Sequence, residues 1–273
     1  TLPFQPHMAT VLDVDGDHLL DAAAAYSNSA GVMRGNGDGT FQLFGGQQLG
    51  PRTALLVAGD LNEDGLGDLL TSDAILLRDR QFGFVSTRDT FPPGTTLADL
   101  DGDGHLDAVG SDPKLGAAIG IRLGDGKGHF AASTRLASAA NTNPGVVQVR
   151  DLDEDGRPEI ISVELANVVV YPAGGSGKPT IYPLPESCPD LAIADFNGDR
   201  RPDIACGPGQ STFVVLLNLG SSFDAPRLFT GAGPRAVSSQ SGQFVATDWS
   251  GDGLPDLALS TKAGLVTVLN TSR

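Results

Sequence analysis

Short apolar runs recur along the whole chain, and segments rich in glycine, proline and aspartate separate them. Runs at residues 54–58, 146–149 and 191–194 have the length of one strand, and none continues with the spacing of an amphipathic helix. Further runs follow at short distances, as at residues 74–77 and 213–217. The pattern therefore predicts an all-β chain in which many short strands are joined by tight turns.

One nine-residue acidic segment recurs six times between these runs. It begins with Asp, ends with Asp or Glu, carries Asp at the fifth position, and has Asp, Asn or Ser at the third. An apolar run precedes each copy and another follows it, which is typical of the turn of a β-hairpin. Successive copies start 39 to 53 residues apart. We call them acidic loops 1 to 6, and they span residues 13–21, 60–68, 99–107, 151–159, 195–203 and 248–256.

The acidic loops hold most of the negative charge of the chain. The 273-residue sequence has a formal net charge of −15, and the loops contain 23 of its 33 acidic residues. So many carboxylates in so few residues repel one another unless a cation lies among them. Because phosphate binding needs a basic surface, no nucleic-acid partner is expected. No apolar run approaches the length of a membrane span, so no membrane insertion is expected either.

Calcium is the cation that these loops are expected to bind. Their donors are oxygen atoms, which excludes a thiolate or imidazole zinc site, and an irregular cage of roughly six to eight oxygens suits Ca²⁺ better than octahedral Mg²⁺. An EF-hand is excluded because no loop has the bidentate Glu at position 12. Side chains at positions 1, 3, 5 and 9 and the backbone carbonyl at position 7 are predicted to bind up to six structural Ca²⁺ ions. The predicted ligands are Asp13, Asp15, Asp17, Leu19, Asp21, Asp60, Asn62, Asp64, Leu66, Asp68, Asp99, Asp101, Asp103, His105, Asp107, Asp151, Asp153, Asp155, Arg157, Glu159, Asp195, Asn197, Asp199, Arg201, Asp203, Asp248, Ser250, Asp252, Leu254 and Asp256.

Neutral or bulky residues distinguish some of the loops. Asn62, Asn197 and Ser250 at position 3 lower the charge of the ligand set. The tight turn at position 6 favours a glycine with positive φ, yet His18 and Arg200 stand there, at a cost on the order of 1 kcal/mol. Acidic loop 5 combines both departures, so we predict it to be the weakest site.

The spacing of the remaining runs predicts a β-propeller. A third apolar run follows each acidic loop, as at residues 119–123, and a fourth leads out of the repeat, as at residues 84–87. Four antiparallel strands per repeat of this length form one propeller blade. We predict a single domain over residues 1–273 with six blades, with seven as the alternative. The last repeat stops after its third strand, so residues 1–6 are expected to supply the fourth and close the ring.

These residues resemble the FG-GAP/VCBS repeat family. Its pattern is an apolar strand, the acidic loop, a second apolar strand and a glycine-rich turn before Phe, as at residues 35–41 and 124–130. It covers nearly all of residues 7–273, although residues 78–82 lack the glycine turn. Integrin α-subunit headpieces and Psathyrella velutina-type fungal lectins are built from such repeats. The resemblance implies a propeller with calcium in the loop between the first two strands of each blade, in agreement with the ligand argument.

No arrangement of acid, base and nucleophile indicates catalysis. His18 and His105 lie in acidic loops and His129 in a glycine turn, without an evident Ser or Cys partner. We therefore expect that the protein is not an enzyme. Cys188 and Cys206 flank the two paired strands of the fifth repeat, and either a disulfide or two free thiols is compatible with the sequence.

Binding is therefore the predicted function. In a propeller the acidic loops lie at one face, so the other connections, residues 26–29, 111–114, 138–143, 207–212 and 231–242, form polar loops at the opposite face. We expect them to bind an extracellular glycan, as lectins with similar repeats do. An integrin-like protein-adhesion or scaffold module is the alternative, and the propeller part of a polysaccharide-degrading enzyme ranks last. Weak calcium sites fill only where calcium is plentiful, so the protein is expected to be secreted.

Overall fold

The computed structural model describes residues 8–26, 29–48, 56–79, 83–92, 94–207, 212–230, 244–261 and 264–271. Apart from two short 3-10 turns, at Pro113–Leu115 and Ala173–Gly175, all regular structure in these ranges is β-strand. The prediction of an all-β chain is therefore confirmed.

One compact unit comprises residues 1–110 and 120–135. It contains two complete four-stranded antiparallel sheets, and hydrophobic clusters lie between neighbouring strands and sheets, around Val32 and Leu69 and around Leu70 and Phe91. The first sheet consists of β1 (Met8–Leu12), β2 (Asp21–Tyr26), β3 (Ser29–Gly35) and β4 (Phe41–Gln48), and the second of β5 (Leu56–Gly59), β6 (Asp68–Thr71), β7 (Ala74–Arg78) and β8 (Phe84–Arg88). The third sheet of the chain has the same order, with β9 (Thr96–Ala98), β10 (Asp107–Ser111), β11 (Ala118–Arg122) and β12 (Thr134–Ala137).

A second compact unit comprises residues 111–119 and 136–273. Its clusters are built from fully buried Ile161 and Leu216 on one side of the fifth sheet, and from Phe196 and Leu257 on the other. The fourth sheet consists of β13 (Val147–Arg150), β14 (Glu159–Val163), β15 (Asn167–Tyr171) and β16 (Thr180–Pro183), and the fifth of β17 (Asp190–Ala194), β18 (Asp203–Gly207), β19 (Thr212–Leu216) and β20 (Arg227–Thr230). The sixth has three described strands, β21 (Phe244–Thr247), β22 (Asp256–Thr261) and β23 (Gly264–Val268).

Each acidic loop is the turn between the first two strands of its sheet. Leu12 pairs with Asp21 and Arg150 pairs with Glu159, so position 9 of the loop is the first residue of the second strand. That strand runs through the middle of its sheet. Its first residue therefore leaves the exposed loop and enters the buried layer.

Six successive antiparallel sheets, each formed by strands that are neighbours in the chain, are the blades of a β-propeller. The prediction of a six-bladed β-propeller is confirmed. The expected closing strand, residues 1–6, lies outside the described residues.

Candidate metal centres

The carboxylate at position 9 ties each acidic loop to its sheet. In acidic loop 1, the backbone N–H of Val14 donates to Oδ2 of Asp21 (2.8 Å), and the N–H of Gly35, at the end of the third strand, donates to Oδ1 (2.8 Å). The same two bonds, at 2.7 to 2.9 Å, recur in four other loops, at Asp68, Asp107, Asp203 and Asp256. In acidic loop 4, the N–H of Leu152 donates to Glu159 (2.9 Å). In five loops the last predicted ligand is therefore also a buried residue that holds the loop to its sheet, whereas Glu159 in loop 4 is half-buried.

Burial of these position-9 carboxylates disfavours their negative charge. Desolvation raises the pKa of Asp68 and of Asp203 to about 6, against the opposing effect of the N–H donors. Burial raises the pKa of Asp107 and Glu159 in the same way. At Asp256 the N–H of Asn270 dominates and lowers the pKa. A cation in the loop would favour the ionised form of all of these carboxylates.

The carboxylate at position 1 shapes the exposed part of the loop. Oδ2 of Asp13 accepts the N–H of position 6 (2.7 Å), and the equivalent bond is present in all six loops. Position 6 has a positive φ throughout, including His18 at 65° and Arg200 at 73°. The prediction that this turn needs the left-handed conformation is confirmed.

The residue at position 3 divides the loops into two groups. In acidic loops 1, 3 and 4 it is Asp, and three carboxylates offer oxygens that all lie within 4.8 Å of one another. Their members are Asp13, Asp15 and Asp17; Asp99, Asp101 and Asp107; and Asp151, Asp153 and Glu159. In loops 2, 5 and 6 position 3 is Asn62, Asn197 or Ser250. In loops 2 and 5 the amide Nδ2 donates to the position-5 carboxylate, at 3.4 and 3.1 Å.

Acidic loop 4 contains an acidic oxygen that the protein does not satisfy. Oδ1 of Asp151 is buried and has no hydrogen-bond partner, whereas Oδ1 of Asp13 accepts the N–H of Gly16 (2.7 Å). Glu154 stands at the position of that glycine, with φ of 61°. Asp151 also belongs to the cluster with Asp153 and Glu159, so this donor set fits a hard divalent cation.

Residues at position 7 each donate their backbone N–H to the position-5 carboxylate, as Leu19 donates to Asp17 (2.8 Å). The same bond is present at Leu66, His105, Arg157, Arg201 and Leu254, to Asp64, Asp103, Asp155, Asp199 and Asp252. Nδ1 of His105 also contacts Oε1 of Glu63, which connects acidic loops 3 and 2 and raises the pKa of His105.

Two asparagines connect neighbouring sheets and were not predicted. Nδ2 of Asn218 donates to the carbonyl of Leu152 (2.7 Å), and Nδ2 of Asn270 donates to the carbonyl of Phe196 (2.7 Å). Each acceptor occupies position 2 of the acidic loop in the preceding repeat, which is loop 4 for Asn218 and loop 5 for Asn270. The signal in the sequence is a Leu-Asn pair at nearly the same distance from position 9 in the last two repeats, residues 217–218 and 269–270.

Among the predicted ligand loops of the opposite face, residues 111–114 and 138–143 are described in full. In the other three predicted loops, residues 27–28, 208–211 and 231–242 lie outside the described residues. A cavity of about 320 Å³ lies elsewhere, between the fifth and sixth sheets, and stacked Phe213 and Phe229 line it.

Cys188 and Cys206 form a disulfide with their Cα atoms 5.7 Å apart. This decides between the disulfide and the two free thiols that the sequence left open.

The repeats place the chain among known families. No curated protein matches it in sequence. The FG-GAP-like repeat family matches residues 13–71, 99–162 and 169–259, which together are well over half of the chain. The chain belongs to the FG-GAP-like repeat family. The three matched segments include all six acidic loops.

Solved structures share this FG-GAP fold. A lectin from Agrocybe aegerita, described for its specific recognition of non-reducing terminal N-acetylglucosamine, is 21% identical with a TM-score of 0.69, over 98% of this chain and 78% of its own. BBS1N in complex with ARL6DN is 12% identical with a TM-score of 0.66, over 98% of this chain and 80% of its own. The Photorhabdus luminescens Tc holotoxin pore is 19% identical with a TM-score of 0.54, over 95% of this chain but 13% of its own. At these identities the likeness shows the fold alone.

One further finding concerns membranes. Among the described residues, no helix is long and apolar enough to span a bilayer.

Proposed function

We propose that this FG-GAP propeller is a secreted, non-enzymatic binding module that Ca²⁺ stabilises and that recognises a carbohydrate. The observation that carries the calcium part is acidic loop 4, where three carboxylates converge and the buried Oδ1 of Asp151 has no protein donor. Asp151, Asp153 and Glu159 would hold the ion there. The clustered carboxylates of the other two loops would do so at Asp13, Asp15 and Asp17 and at Asp99, Asp101 and Asp107. The bound ion supplies positive charge that offsets carboxylate repulsion, and no reaction takes place on it.

Secretion is supported by two features of the chain. Sites built on exposed nine-residue loops without a twelfth-position Glu would fill at extracellular calcium concentrations. The disulfide between Cys188 and Cys206 is of the kind that persists in an oxidising compartment.

Thermal unfolding in saturating calcium and in EGTA, together with metal analysis, tests the calcium part. Each site filled at a hundred times its Kd adds about 2.7 kcal/mol to the free energy of unfolding. We therefore expect a fall in Tm of several degrees in EGTA, and bound calcium in the untreated protein. An unchanged Tm and no bound metal would refute it.

The carbohydrate part is supported by the fold shared with the Agrocybe aegerita lectin and by a pre-organised loop on the predicted binding face. Glu164 accepts hydrogen bonds from Ser138 Oγ (2.6 Å) and from the N–H of Ala140 (2.7 Å), which holds the loop at residues 138–143. A loop that is already ordered costs less entropy when it binds a ligand.

A glycan array that includes glycans ending in N-acetylglucosamine, probed with the calcium-loaded protein, tests this part. Asn143→Ala should weaken glycan binding, because Asn143 is exposed on that loop, while Lys127→Ala in the glycine turn of the third sheet should leave it unchanged.

Protein docking is the second candidate function, and the shared fold with BBS1N, which is solved in complex with ARL6DN, favours it. Capture of no glycan by folded, calcium-loaded protein would favour this second candidate.

A further inference from the structure

Acidic loop 1 already contains a positive charge that comes from the protein itself. Arg34, near the end of β3, extends its guanidinium between two of the three clustered carboxylates. Its Nε lies 2.9 Å from Oδ2 of Asp15, and its Nη2 lies 2.7 Å from Oδ2 of Asp17. The carboxylates that would hold a cation are therefore paired with an arginine.

Acidic loop 5 contains a second such arginine, from a different part of the repeat. Nη2 of Arg201, at position 7, lies 2.5 Å from Oδ2 of Asp199, and Nε donates to the carbonyl of Asn218 (3.0 Å). In both loops the guanidinium reaches the carboxylate at position 5. Arg34 and Arg201 thus provide the same contact from a strand and from the loop.

The other four loops have no such guanidinium contact among the described residues. Arg34 directly precedes Gly35, whose N–H donates to the position-9 carboxylate of loop 1. The residue at the equivalent place is leucine in four other repeats, at Leu77, Leu123, Leu217 and Leu269. Position 7, where Arg201 stands in loop 5, is leucine in three, at Leu19, Leu66 and Leu254. Arg157 also occupies position 7, in loop 4, but it is exposed and makes no ion pair with the described carboxylates.

The two arginine-paired loops are also those without glycine at position 6. His18 and Arg200 hold the left-handed conformation there, at φ of 65° and 73°. The two loops that bring three carboxylates together without an arginine, loops 3 and 4, keep Gly104 and Gly156. Strain at position 6 and an internal cation therefore occur together.

We propose that Arg34 and Arg201 are internal counter-cations that keep acidic loops 1 and 5 folded without metal, so that these loops bind Ca²⁺ more weakly than loops 3 and 4. The claim that loops 1 and 5 bind Ca²⁺ more weakly rests on the proposed function. The claim that the arginines keep these loops folded without metal does not. A divalent cation entering loop 1 must displace or be repelled by the guanidinium, because both use the oxygens of Asp15 and Asp17. In loop 4, Oδ1 of Asp151 has no hydrogen-bond partner, and a cation that binds there does not have to displace a guanidinium.

The test compares Arg34→Leu and Arg201→Leu with Arg88→Leu, a control that removes the same charge from the exposed last residue of β8, outside the acidic loops. In EDTA, we expect Arg34→Leu and Arg201→Leu to lower the Tm by about 3 °C or more, and Arg88→Leu to lower it by less than about 1 °C. In calcium titrations followed by calorimetry, Arg34→Leu should tighten one weak site about tenfold or more. Arg88→Leu should change no site by more than about twofold.

The outcomes separate this proposal from the proposed function. Equal Tm values of Arg34→Leu and Arg88→Leu in EDTA overturn the role of Arg34 as an internal counter-cation, whether or not calcium binds. If no variant binds calcium, the proposed function and the claim of weaker calcium binding fail together, and the EDTA comparison still decides whether the arginines keep these loops folded without metal. If Arg34→Leu folds only with calcium, the proposal is supported. If it folds under neither condition, Arg34→Lys replaces it, and an EDTA Tm equal to that of the wild type together with unchanged calcium affinity supports a role for charge at this position.

Discussion

Two glutamates at opposite ends of one strand show two ways in which this propeller surrounds an acidic side chain. Glu159 is the first residue of β14 and belongs to acidic loop 4, and Glu164 directly follows the last residue of β14, at the other end of the sheet. Only a few residues of strand separate them, yet their surroundings differ.

Glu164 is satisfied entirely by the protein. The residue is 0% exposed, and each carboxylate oxygen accepts two hydrogen bonds. Oε2 accepts from Ser138 Oγ and the N–H of Ala140, and Oε1 accepts from Ser162 Oγ (2.9 Å) and the hydroxyl of Tyr171 (2.5 Å). Burial and this bond to Glu164 raise the pKa of Tyr171, so the phenol remains a donor.

Glu159 has far less protein support. Its Oε2 accepts the N–H of Leu152, and the neighbouring acidic oxygens of Asp151 and Asp153 lie within 4.8 Å. Burial and those two charges raise its pKa. The difference teaches that a carboxylate shielded from water in this fold is stabilised either by converging hydrogen-bond donors or, as we propose, by a metal ion.

The largest effect is expected from Glu164→Leu. The change leaves three hydroxyls and the backbone N–H of Ala140 without their acceptor, which should cost about 3–5 kcal/mol in the free energy of unfolding. The loss should be the same in calcium and in EGTA when measured by denaturant unfolding. A loss of stability that calcium reverses would contradict the contrast with Glu159. As a control, Glu164→Gln keeps one acceptor oxygen, so it should lower the free energy of unfolding by less than Glu164→Leu does.

The disulfide of the fifth sheet gives a second calcium-independent comparison. Replacing both Cys188 and Cys206 with serine opens a link across 18 residues and should cost about 3 kcal/mol. Denaturant unfolding of the variant in calcium and in EGTA measures this. If the calcium-induced gain in stability disappears in the variant, the cystine and the metal sites are coupled.

Asp153→Asn should reduce only the calcium-dependent part of stability. Asp153 is exposed, and its replacement by Asn gives acidic loop 4 the neutral residue at position 3 that loops 2 and 5 already have. The gain in Tm on adding calcium should shrink by the equivalent of about 1–2 kcal/mol, a weakening of roughly tenfold or more in one site. The Tm in EGTA should stay the same or rise, because one repelling charge is gone. An unchanged calcium response would contradict a site in loop 4.

The smallest effect is expected at the contact between loops 2 and 3. Glu63→Gln removes the charge that faces His105, and both side chains are partly exposed. The free energy of unfolding should change by about 0.5 kcal/mol or less, as for other exposed ion pairs. A larger change in thermal unfolding would mean that this contact holds neighbouring loops together as Asn218 does.

The sequence by itself determined the repeat, the hairpins and the local chemistry of the acidic loops. Each loop forms its own hydrogen bonds within nine residues, from Asp13 to His18 for example, so spacing and residue type suffice to predict it. The same holds for the left-handed turn at position 6. The β-strands follow from the alternation of apolar runs and turns because each pairs with its neighbour in the chain.

Only the tertiary structure decided which charges meet. Arg34 reaches Asp17 across 17 residues, and Asn218 reaches Leu152 across 66, because strand pairing and the packing of adjacent sheets bring them together. The strand register that joins Cys188 to Cys206 and the loop that folds over Glu164 are equally products of packing. Local spacing sets what a loop can bind, but the partners of its charges come from other strands, and no pattern along one strand specifies them.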